Sequence, residues 1–305
     1  MNSNPKMANS MNPYTSRGTV GIISRAVMSF SGKDILLVEG KTDKKTYKKI
    51  VDTLGKTNIY VLPVYEKGRY LSSRDVKRLG KPNDVSPKRS IILLVKRCFA
   101  REWAKGCLFN RFYGIVDKDF FFDGDMEIVN HSLLDNPGSM PMSEEDGNAL
   151  LYNPVNNGRL VTTDTNDVES LIFKFDYDAV KKTCKFAAST NNLDDLKAKA
   201  LEMACKKGIK EYKTEANWYI SKKYIKQMAQ PPLSGIDWKY CKGHFLVRSF
   251  LNLLDKNKKH FKNEEKFINS VINNLTVANF TNSEVYKFID SIEPNPDWNL
   301  NTIYF

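Results

Sequence analysis

The apolar residues in the first half of the chain form short continuous runs. Residues 35–38 and 112–116 are two such runs, and each is followed at once by an acidic residue. Runs of this kind are typical of strands that are buried on both faces in a parallel sheet. The spacing of apolar residues between them predicts a helix over 41–54 and another strand over 58–64. The pattern therefore predicts an α/β fold built on a mostly parallel sheet flanked by helices.

Acidic side chains are predicted at the carboxyl ends of the two buried strands. Glu39 follows the first strand, and Asp117 and Asp119 follow the second. Residues two apart on an extended chain point the same way, so both aspartates can face one cation with Glu39 opposite them. Open α/β sheets bind ligands at this edge. Because clustered carboxylates hold Mg²⁺ or Mn²⁺, the sequence predicts a site for one of these metals.

Two motifs carry a resemblance to a known superfamily. Residues 38–43 read Val-Glu-Gly-Lys-Thr-Asp, and residues 115–119 read Ile-Val-Asp-Lys-Asp. Together they resemble the TOPRIM domain of topoisomerases, bacterial primases and overcoming-lysogenization-defect (OLD) nucleases. The chain looks most like the OLD-like TOPRIM nucleases of phage defence, above all the effector subunits of PARIS anti-phage systems. The resemblance implies a Rossmann-like TOPRIM sheet, metal binding by Glu39, Asp117 and Asp119, and a catalytic role for Asp43.

Two later segments match features of the same defence group. A predicted hairpin over 150–162 leads into a threonine-rich turn, after which Glu169 matches an acid that opens a helix in those proteins. Compensation of the helix dipole is the alternative for Glu169. Lys242 and His244 lie in a Lys-Gly-His element similar to one found late in that group. The resemblance implies that Lys242 stabilises charge at the transferring phosphate, with His244 as a structural companion; a capping role for both is the alternative.

The segment 66–101 is the most basic part of the chain, with eleven lysines and arginines against three acids. Ser86 and Pro87 form a good helix start, and the helix is predicted to reach about residue 104. The apolar residues expected to face the sheet are Ile91, Leu94, Val95 and Cys98. The basic residues predicted to bind nucleic-acid phosphates are Lys88, Arg89, Lys96 and Arg97, of which Lys88, Lys96 and Arg97 are expected nearer solvent. A helix face that lysines merely keep solvated is the alternative.

Strand signals fade beyond residue 175, and helical periodicity takes over. The pattern predicts five helices, at 193–207, 210–229, 245–254, 264–275 and 283–292. The segment 206–226 carries seven lysines and two glutamates, with Tyr212, Trp218, Tyr219 and Tyr224 among them. Aromatic residues at helical spacing are more often core residues, and stacking on unpaired bases is the alternative.

Composition sets the domain organisation. Residues 1–17 lack an apolar period and are expected to form a disordered tail. A TOPRIM catalytic domain is expected over 18–175, and a helical layer or domain over 176–305. The long polar segment 120–148 is expected to be an insertion loop, serving as a lid or as a docking site.

Charge, hydropathy and cysteine spacing indicate which partners, location and metals to expect. The net charge of +12 favours polyanionic partners. No apolar run approaches the length of a membrane span, and the amino terminus lacks the apolar centre of a signal peptide, so a cytoplasmic protein without a membrane partner is expected. The five cysteines are widely spaced, which does not favour a zinc site.

These features lead to the hypothesis of a Mg²⁺-dependent endonuclease acting on nucleic acid. The resemblance implies a toxic effector that cleaves RNA, with tRNA favoured. An OLD-like DNA-nicking enzyme and a TOPRIM fold that only binds nucleic acid or a partner are the alternatives. A topoisomerase would need a longer chain, and a primase would need a zinc module. No phosphate-binding loop is recognisable, so a separately encoded ABC-type, OLD-like ATPase subunit is the expected partner. The hypothesis leaves room for a homodimer.

Overall fold

The computed structural model describes residues 33–64, 112–120, 158–187 and 192–293, with short gaps at 224, 229, 233–234, 255–259 and 262. It also describes five helical positions, Pro87, Lys88, Ile91, Ile92 and Val95. The predicted tail at 1–17, the first strand of the predicted hairpin and nearly all of the predicted insertion loop lie outside these residues.

The described strands form one parallel sheet in the order β2-β1-β3-β4. Their bounds are Asp34–Val38 for β1, Ile59–Pro63 for β2, Phe112–Val116 for β3 and Leu160–Thr162 for β4. The two middle strands, β1 and β3, are buried along their whole length, as their continuous apolar runs predict. Since the strands are parallel, the carboxyl ends of β1 and β3 lie side by side at one edge.

Seven helices with complete bounds surround or follow the sheet in the described part of the chain. They are α1 Lys41–Thr53, α2 Val168–Phe175, α3 Tyr177–Thr183, α4 Leu193–Ser221, α5 Gly243–Leu254, α6 Glu264–Asn273 and α7 Glu284–Asp290. This arrangement confirms the predicted α/β class, with a parallel sheet flanked by helices and a mostly helical carboxyl-terminal region. None of the described helices is long and apolar enough to cross a membrane.

Helix α4 differs from the prediction because two predicted helices, 193–207 and 210–229, are one continuous helix that ends at Ser221. Gly208 does not interrupt it. A Cβ atom at that position would lie 1.7 Å from the carbonyl oxygen of Tyr240. The glycine therefore allows the segment around Tyr240 to pass directly against the helix, which a sequence pattern does not reveal.

The basic helix near residue 90 packs over the sheet at a glycine. Ile91, Ile92 and Val95 are fully buried. A Cβ atom on Gly114 of β3 would meet the Ile91 side chain at 2.6 Å and the Val95 side chain at 3.2 Å. The predicted sheet-facing role of Ile91 and Val95 is thereby confirmed, while Leu94 and Cys98 lie outside the described residues.

A single hydrophobic cluster joins the sheet to the carboxyl-terminal helices. It contains Leu36 of β1, Tyr47 of α1, Phe173 of α2, Phe250 of α5 and Phe267 of α6, among others. Burial of side chains of this size supplies much of the folding free energy. The helical region therefore forms a layer on the sheet through shared packing.

Candidate metal centre

Two acidic residues meet where β1 and β3 end. The backbone N–H of Asp117 donates a hydrogen bond of 2.9 Å to Oε1 of Glu39. The backbone N–H of Asp119 donates one of 2.7 Å to the carbonyl oxygen of Asn166. Asp119 has a φ of 39°, in the left-handed region where aspartate is one of the better tolerated residues. The chain thus turns sharply after β3 and keeps the motif at the edge of the sheet.

The threonine-rich turn after β4 is tied to the same edge. The backbone N–H of Lys118 donates to Oγ1 of Thr163 at 2.9 Å, and that hydroxyl donates to the carbonyl oxygen of Thr165 at 2.7 Å. Asp167 caps α2 by accepting from the backbone N–H of Ser170 at 3.0 Å. These bonds fix the first turn of α2, and with it Glu169, beside the end of β3.

Asp43 lies on the first turn of α1, one turn after Glu39. Its Oδ2 accepts a 2.8 Å hydrogen bond from the backbone N–H of Gly40, and its side chain is buried. One turn further on, Tyr47 is buried, and its hydroxyl has no hydrogen-bond partner among the described residues. Burial raises the pKa of Tyr47, and the charges of Asp43 and Asp117 raise it further. An unpartnered polar atom of this kind is expected beside a site that binds a polar ligand.

Six carboxylates form one electrostatic group, which we call the acidic cluster: Glu39, Asp43, Asp117, Asp119, Asp167 and Glu169. Burial and the charge of Asp119 raise the pKa of Glu39 to about 8. Burial raises the pKa of Asp117 well above its usual range, and Asp43 and Glu39 raise it further. Burial raises the pKa of Glu169 well above its usual range, and the charges of the neighbouring acids raise it further. Burial raises the pKa of Asp43 to about 6, and that of Asp167 to about 6, against hydrogen bonds that lower both.

The acidic cluster fits a divalent cation by donor chemistry but is not a closed cage of ligands. Its hard oxygen donors repel one another, and Glu39, Asp117, Asp119 and Glu169 remain accessible in part. Within the described residues, no three acidic, histidine or cysteine side chains converge closely enough to hold a metal as they stand. The predicted ligands are therefore neighbours, and binding an ion would require their side chains to turn toward it.

Lys88 contradicts its predicted place near solvent. It is 5% exposed, and its Nζ lies 3.3 Å from Oδ2 of Asp119 and 3.4 Å from the carbonyl oxygen of Lys118. The physical reason is helical spacing, because Lys88 precedes Ile92 by four residues and Val95 by seven and so shares their buried face. Its ammonium lowers the pKa of Glu39 against the effect of burial. The other predicted phosphate-binding residues, Arg89, Lys96 and Arg97, lie outside the described residues.

Lys242 lies beside the acidic cluster, held by two glutamates of α4. Its Nζ is 3.2 Å from Oε2 of Glu211 and 3.4 Å from Oε1 of Glu215, and 4.7 Å from the centre of the Phe120 ring. Burial lowers the pKa of Lys242, but Glu215, Asp119 and Glu211 outweigh it and the pKa is raised. The lysine is therefore charged, and Asp119 contributes to its surroundings.

Gly243 and His244 have different surroundings. A Cβ atom on Gly243 would lie 2.2 Å from Oδ1 of Asp167 and 2.4 Å from Cβ of Glu169. The Gly243 N–H donates to Oδ2 of Asp167 at 2.6 Å. The glycine thus joins the start of α5 to the start of α2. His244 is exposed, with its ring centre 4.0 Å from that of Phe245.

Five of the six members of the acidic cluster were predicted from the sequence. The structure places Glu39, Asp43, Asp117, Asp119 and Glu169 in one neighbourhood, with Lys242 at its border. Asp167 was missed, although an aspartate two residues before a helix-opening glutamate is a recognisable amino-terminal cap. The ion pair between Lys88 and Asp119 was also not predicted, although the spacing of Lys88 to the apolar residues of its helix was visible.

Comparison with known proteins identifies no relative of this chain. No protein-family model matches the chain, and neither the curated proteins nor the solved structures contain a significant match to it.

Proposed function

We propose that this protein is a TOPRIM-type nuclease that uses a divalent metal to hydrolyse phosphodiester bonds in nucleic acid. The observation that supports this most directly is the hydrogen bond between Asp117 and Glu39, which joins acids from the ends of two adjacent parallel strands. Asp43 and Glu169 from two helix starts complete the set. Acids from four separate elements at the ligand-binding edge of an α/β sheet are what a metal-dependent phosphodiesterase needs.

The acids have separate roles in this proposal. Glu39, Asp117 and Asp119 would hold Mg²⁺ or Mn²⁺, which supplies an activated water and offsets charge at the phosphate. Asp43 and Glu169 would serve a second ion or orient the attacking water. Asp167 orients the cluster, since it accepts hydrogen bonds from the starts of both α2 and α5.

Lys242 would donate to the phosphate or leaving oxygen as negative charge develops there. Its raised pKa keeps it protonated, and Asp119 is one cause of that rise. To reach a phosphate, its ammonium would have to leave Glu211 or Glu215, whose side chains are 35% and 39% exposed and can turn toward water. Lys88 would balance part of the negative charge before an ion binds.

The resemblance to the effector subunits of PARIS systems supports a cellular setting for this activity. There the protein would act as a toxin in abortive infection, with RNA, and tRNA above all, as its substrate. We propose that a separately encoded OLD-like ATPase holds it inactive, and that it acts in the cytoplasm, where tRNA is found. We propose that this ATPase docks on the basic segment 66–101 or on the segment 120–148, both of which lie almost wholly outside the described residues.

A direct test incubates the purified protein with total tRNA and with supercoiled plasmid, each with Mg²⁺, with Mn²⁺ and with EDTA. Metal-dependent tRNA cleavage that is lost in Glu39→Gln is the expected result. Conversion of the plasmid to open circles without tRNA cleavage would instead favour an OLD-like DNA-nicking enzyme. A protein that cleaves neither substrate with either metal would overturn the proposal.

One observation favours a second candidate, a TOPRIM fold that binds nucleic acid or a partner without catalysis. Lys88 already forms an ion pair with Asp119, and the described residues show no three ligands converged on one point. If the acids are structural, nucleic-acid binding should be independent of metal, and Mg²⁺ should not raise the melting temperature. Titration of the metal-free protein with MgCl₂, followed by differential scanning fluorimetry, separates the two candidates.

A further inference from the structure

We propose that the exposed face of α4 between Lys206 and Trp218, here called the α4 surface, binds a single-stranded stretch of nucleic acid. This deepens the proposed function by naming the form of its substrate, and it rests on that function for the use to which the bound strand is put.

The exposed face of α4 between residues 206 and 213 is rich in lysine. Lys206, Lys207, Lys210 and Lys213 are all exposed. The only acids between 203 and 226 are Glu211 and Glu215, and both lie on another side of the helix against Lys242. Lys206 pairs at the surface with Glu202, one turn before it, whereas Glu211 and Glu215 pair inward, so lysines outnumber acids on the solvent side of this part of the helix. Such a face is complementary to a row of phosphates.

An exposed tryptophan lies at the border of the same exposed side of the helix. Trp218 is 43% exposed, on the turn that follows Lys213 and Thr214. Tyr212, another aromatic residue of this helix, is 4% exposed and packs on Phe120 and Tyr240. It is therefore a core residue and is not available for base stacking. Large exposed aromatic rings beside lysines are the usual platform for stacking unpaired bases.

Spacing along the helix suits an extended strand. Lys206, Lys210 and Lys213 follow one another at intervals of four and three residues and so share a face. At 1.5 Å per residue, the first and last are about 10 Å apart along the axis, and Trp218 lies about 8 Å beyond Lys213. Trp218 lies about 80° around the helix axis from Lys210, so a strand has to cross α4 obliquely to place its phosphates on the lysines and one base on the ring.

The α4 surface also lies next to the acidic cluster. Glu211 and Glu215, on the same turns as the lysines, hold Lys242, and Tyr212 packs on Phe120, the residue after Asp119. A strand that crosses α4 from the lysines to Trp218 therefore runs toward the side of the helix that carries Glu211 and Glu215 and faces Lys242. A duplex fits less well, because its bases are already stacked and cannot cover Trp218.

The test measures binding of fluorescent 20-nucleotide probes to the full chain in Ca²⁺ and in EDTA, by anisotropy across a range of KCl. The probes are single-stranded RNA, single-stranded DNA of the same sequence, and the corresponding RNA duplex. Two variants probe the surface: the triple Lys206→Ala, Lys210→Ala, Lys213→Ala, and Trp218→Ala. Alanine is the best helix former, so α4 is retained in both.

Matched controls remove the same groups elsewhere. The triple Lys182→Ala, Lys185→Ala, Lys266→Ala removes three exposed lysines that lie outside α4. Phe186→Ala removes a ring that is 39% exposed, close to the exposure of Trp218. Both controls should bind the single-stranded probes like the wild type.

The expected result for the α4 triple is a salt slope lower by about two, at roughly 0.7 per lost phosphate contact. Trp218→Ala should weaken single-strand binding at least about fivefold and leave duplex binding nearly unchanged. Equal losses of affinity for single-stranded RNA and DNA would show that the α4 surface recognises phosphates and bases. A loss of affinity for RNA alone would show that it is specific for RNA.

The outcomes separate the two proposals. If the wild type cleaves nucleic acid and the α4 variants bind like their controls, the proposed role of the α4 surface is refuted and the proposed nuclease activity is not. If the wild type binds single strands through α4 but never cleaves them, the proposed role of the α4 surface is supported and the proposed nuclease activity is refuted. If the duplex binds as tightly as the single strand and loses as much affinity in Trp218→Ala, the assignment to unpaired bases is wrong.

Discussion

Nζ of Lys88 lies 3.3 Å from Oδ2 of Asp119, and this ion pair connects the basic helix near residue 90 to the acidic edge of the sheet. The lysine side chain is 7% exposed and that of the aspartate 35%. A buried ammonium among carboxylates is a built-in counter-charge, and it competes with any added cation for Asp119. Stability without metal and affinity for metal should therefore change in opposite directions when Lys88 is altered.

Lys88→Met is expected to lower the melting temperature in EDTA and to increase the rise in melting temperature that saturating Mg²⁺ produces. Breaking a buried ion pair at one partner costs about 3 kcal/mol or somewhat less here, because Asp119 is accessible to water. The larger response to Mg²⁺ follows because the ion then meets more uncompensated negative charge. Differential scanning fluorimetry at pH 8 measures both quantities.

Lys48→Met is the matched control for this change. Lys48 pairs with Asp52 at the protein surface, where both side chains are more than half exposed. Such pairs contribute about 1 kcal/mol or less, so the melting temperature and its response to Mg²⁺ should hardly change. A Mg²⁺ response in Lys88→Met that is smaller than in the wild type would show that Lys88 supports metal binding and does not compete with it.

Glu39→Gln should stabilise the metal-free protein, and increasingly so as the pH rises. The pKa of Glu39 is raised from 4.5 to about 8 by burial and by Asp119, so the folded state binds the proton more tightly than the unfolded state. The wild type therefore loses stability between about pH 4.5 and pH 8, and the variant does not share this loss. At pH 9 in EDTA the variant is expected to be more stable by at least about 2 kcal/mol.

The difference in free energy of unfolding between the two proteins, from urea titrations at each pH, is the measurement. Glutamine is chosen over alanine because Oε1 of Glu39 accepts the Asp117 N–H, and alanine would leave that donor unpaired. In saturating Mg²⁺ the sign should reverse, since only the wild type retains the ligand. A difference that stays constant from pH 5 to pH 9 would contradict the proposed repulsion within the acidic cluster.

The fold was largely predictable because its signals are local. The apolar runs of β1 and β3 are continuous and end on acids, and helix α1 follows directly, so the parallel unit and its acidic edge could be deduced from neighbouring residues. Glu39, Asp117 and Asp119 were found for the same reason. Their positions depend only on the direction of the strands.

Asp167 could have been recognised as a helix cap from local sequence, whereas the other missed features also depend on contacts between distant segments. The predicted break between residues 207 and 210 does not exist, since Gly208 continues α4, and the close approach of the Tyr240 carbonyl oxygen to this glycine follows from the tertiary fold. Lys88 looked like a surface residue because its segment is rich in lysine and arginine, and its burial depends on packing over Gly114. Whether acids that are near one another also converge on one ion depends on side-chain rotamers, which no sequence pattern specifies.

Gly243→Ala is expected to destabilise the protein by about 1 to 3 kcal/mol and to weaken its response to Mg²⁺, although no charge is removed. The added Cβ would overlap with Asp167 and Glu169, so the start of α2 has to shift. The melting temperature in EDTA and the Mg²⁺ titration give the two readouts. Gly158→Ala is the control: it has a φ of +64° and open space around it, so it should cost stability through backbone strain and leave the Mg²⁺ response unchanged.

Lys242→Met tests whether the lysine acts on the phosphate or only holds α4. A lost donor to the transferring phosphate should lower turnover about a hundredfold or more, with little change in probe affinity measured in Ca²⁺. The variant also leaves Glu211 and Glu215 unpaired, which should cost about 1 to 2 kcal/mol of stability. The loss of stability alone therefore cannot distinguish the two roles.

The variant that combines Lys242→Met with Glu211→Gln and Glu215→Gln separates these roles, because it removes the unpaired charges while the lysine stays absent. We expect the melting temperature to return close to that of the wild type and turnover to stay low. The Glu211→Gln, Glu215→Gln double variant keeps the lysine and should retain turnover, since Nζ of Lys242 is then released from two carboxylates that lie within 3.4 Å of it. Turnover that recovers together with stability in the triple variant would instead assign Lys242 to the packing of α4 against the acidic cluster.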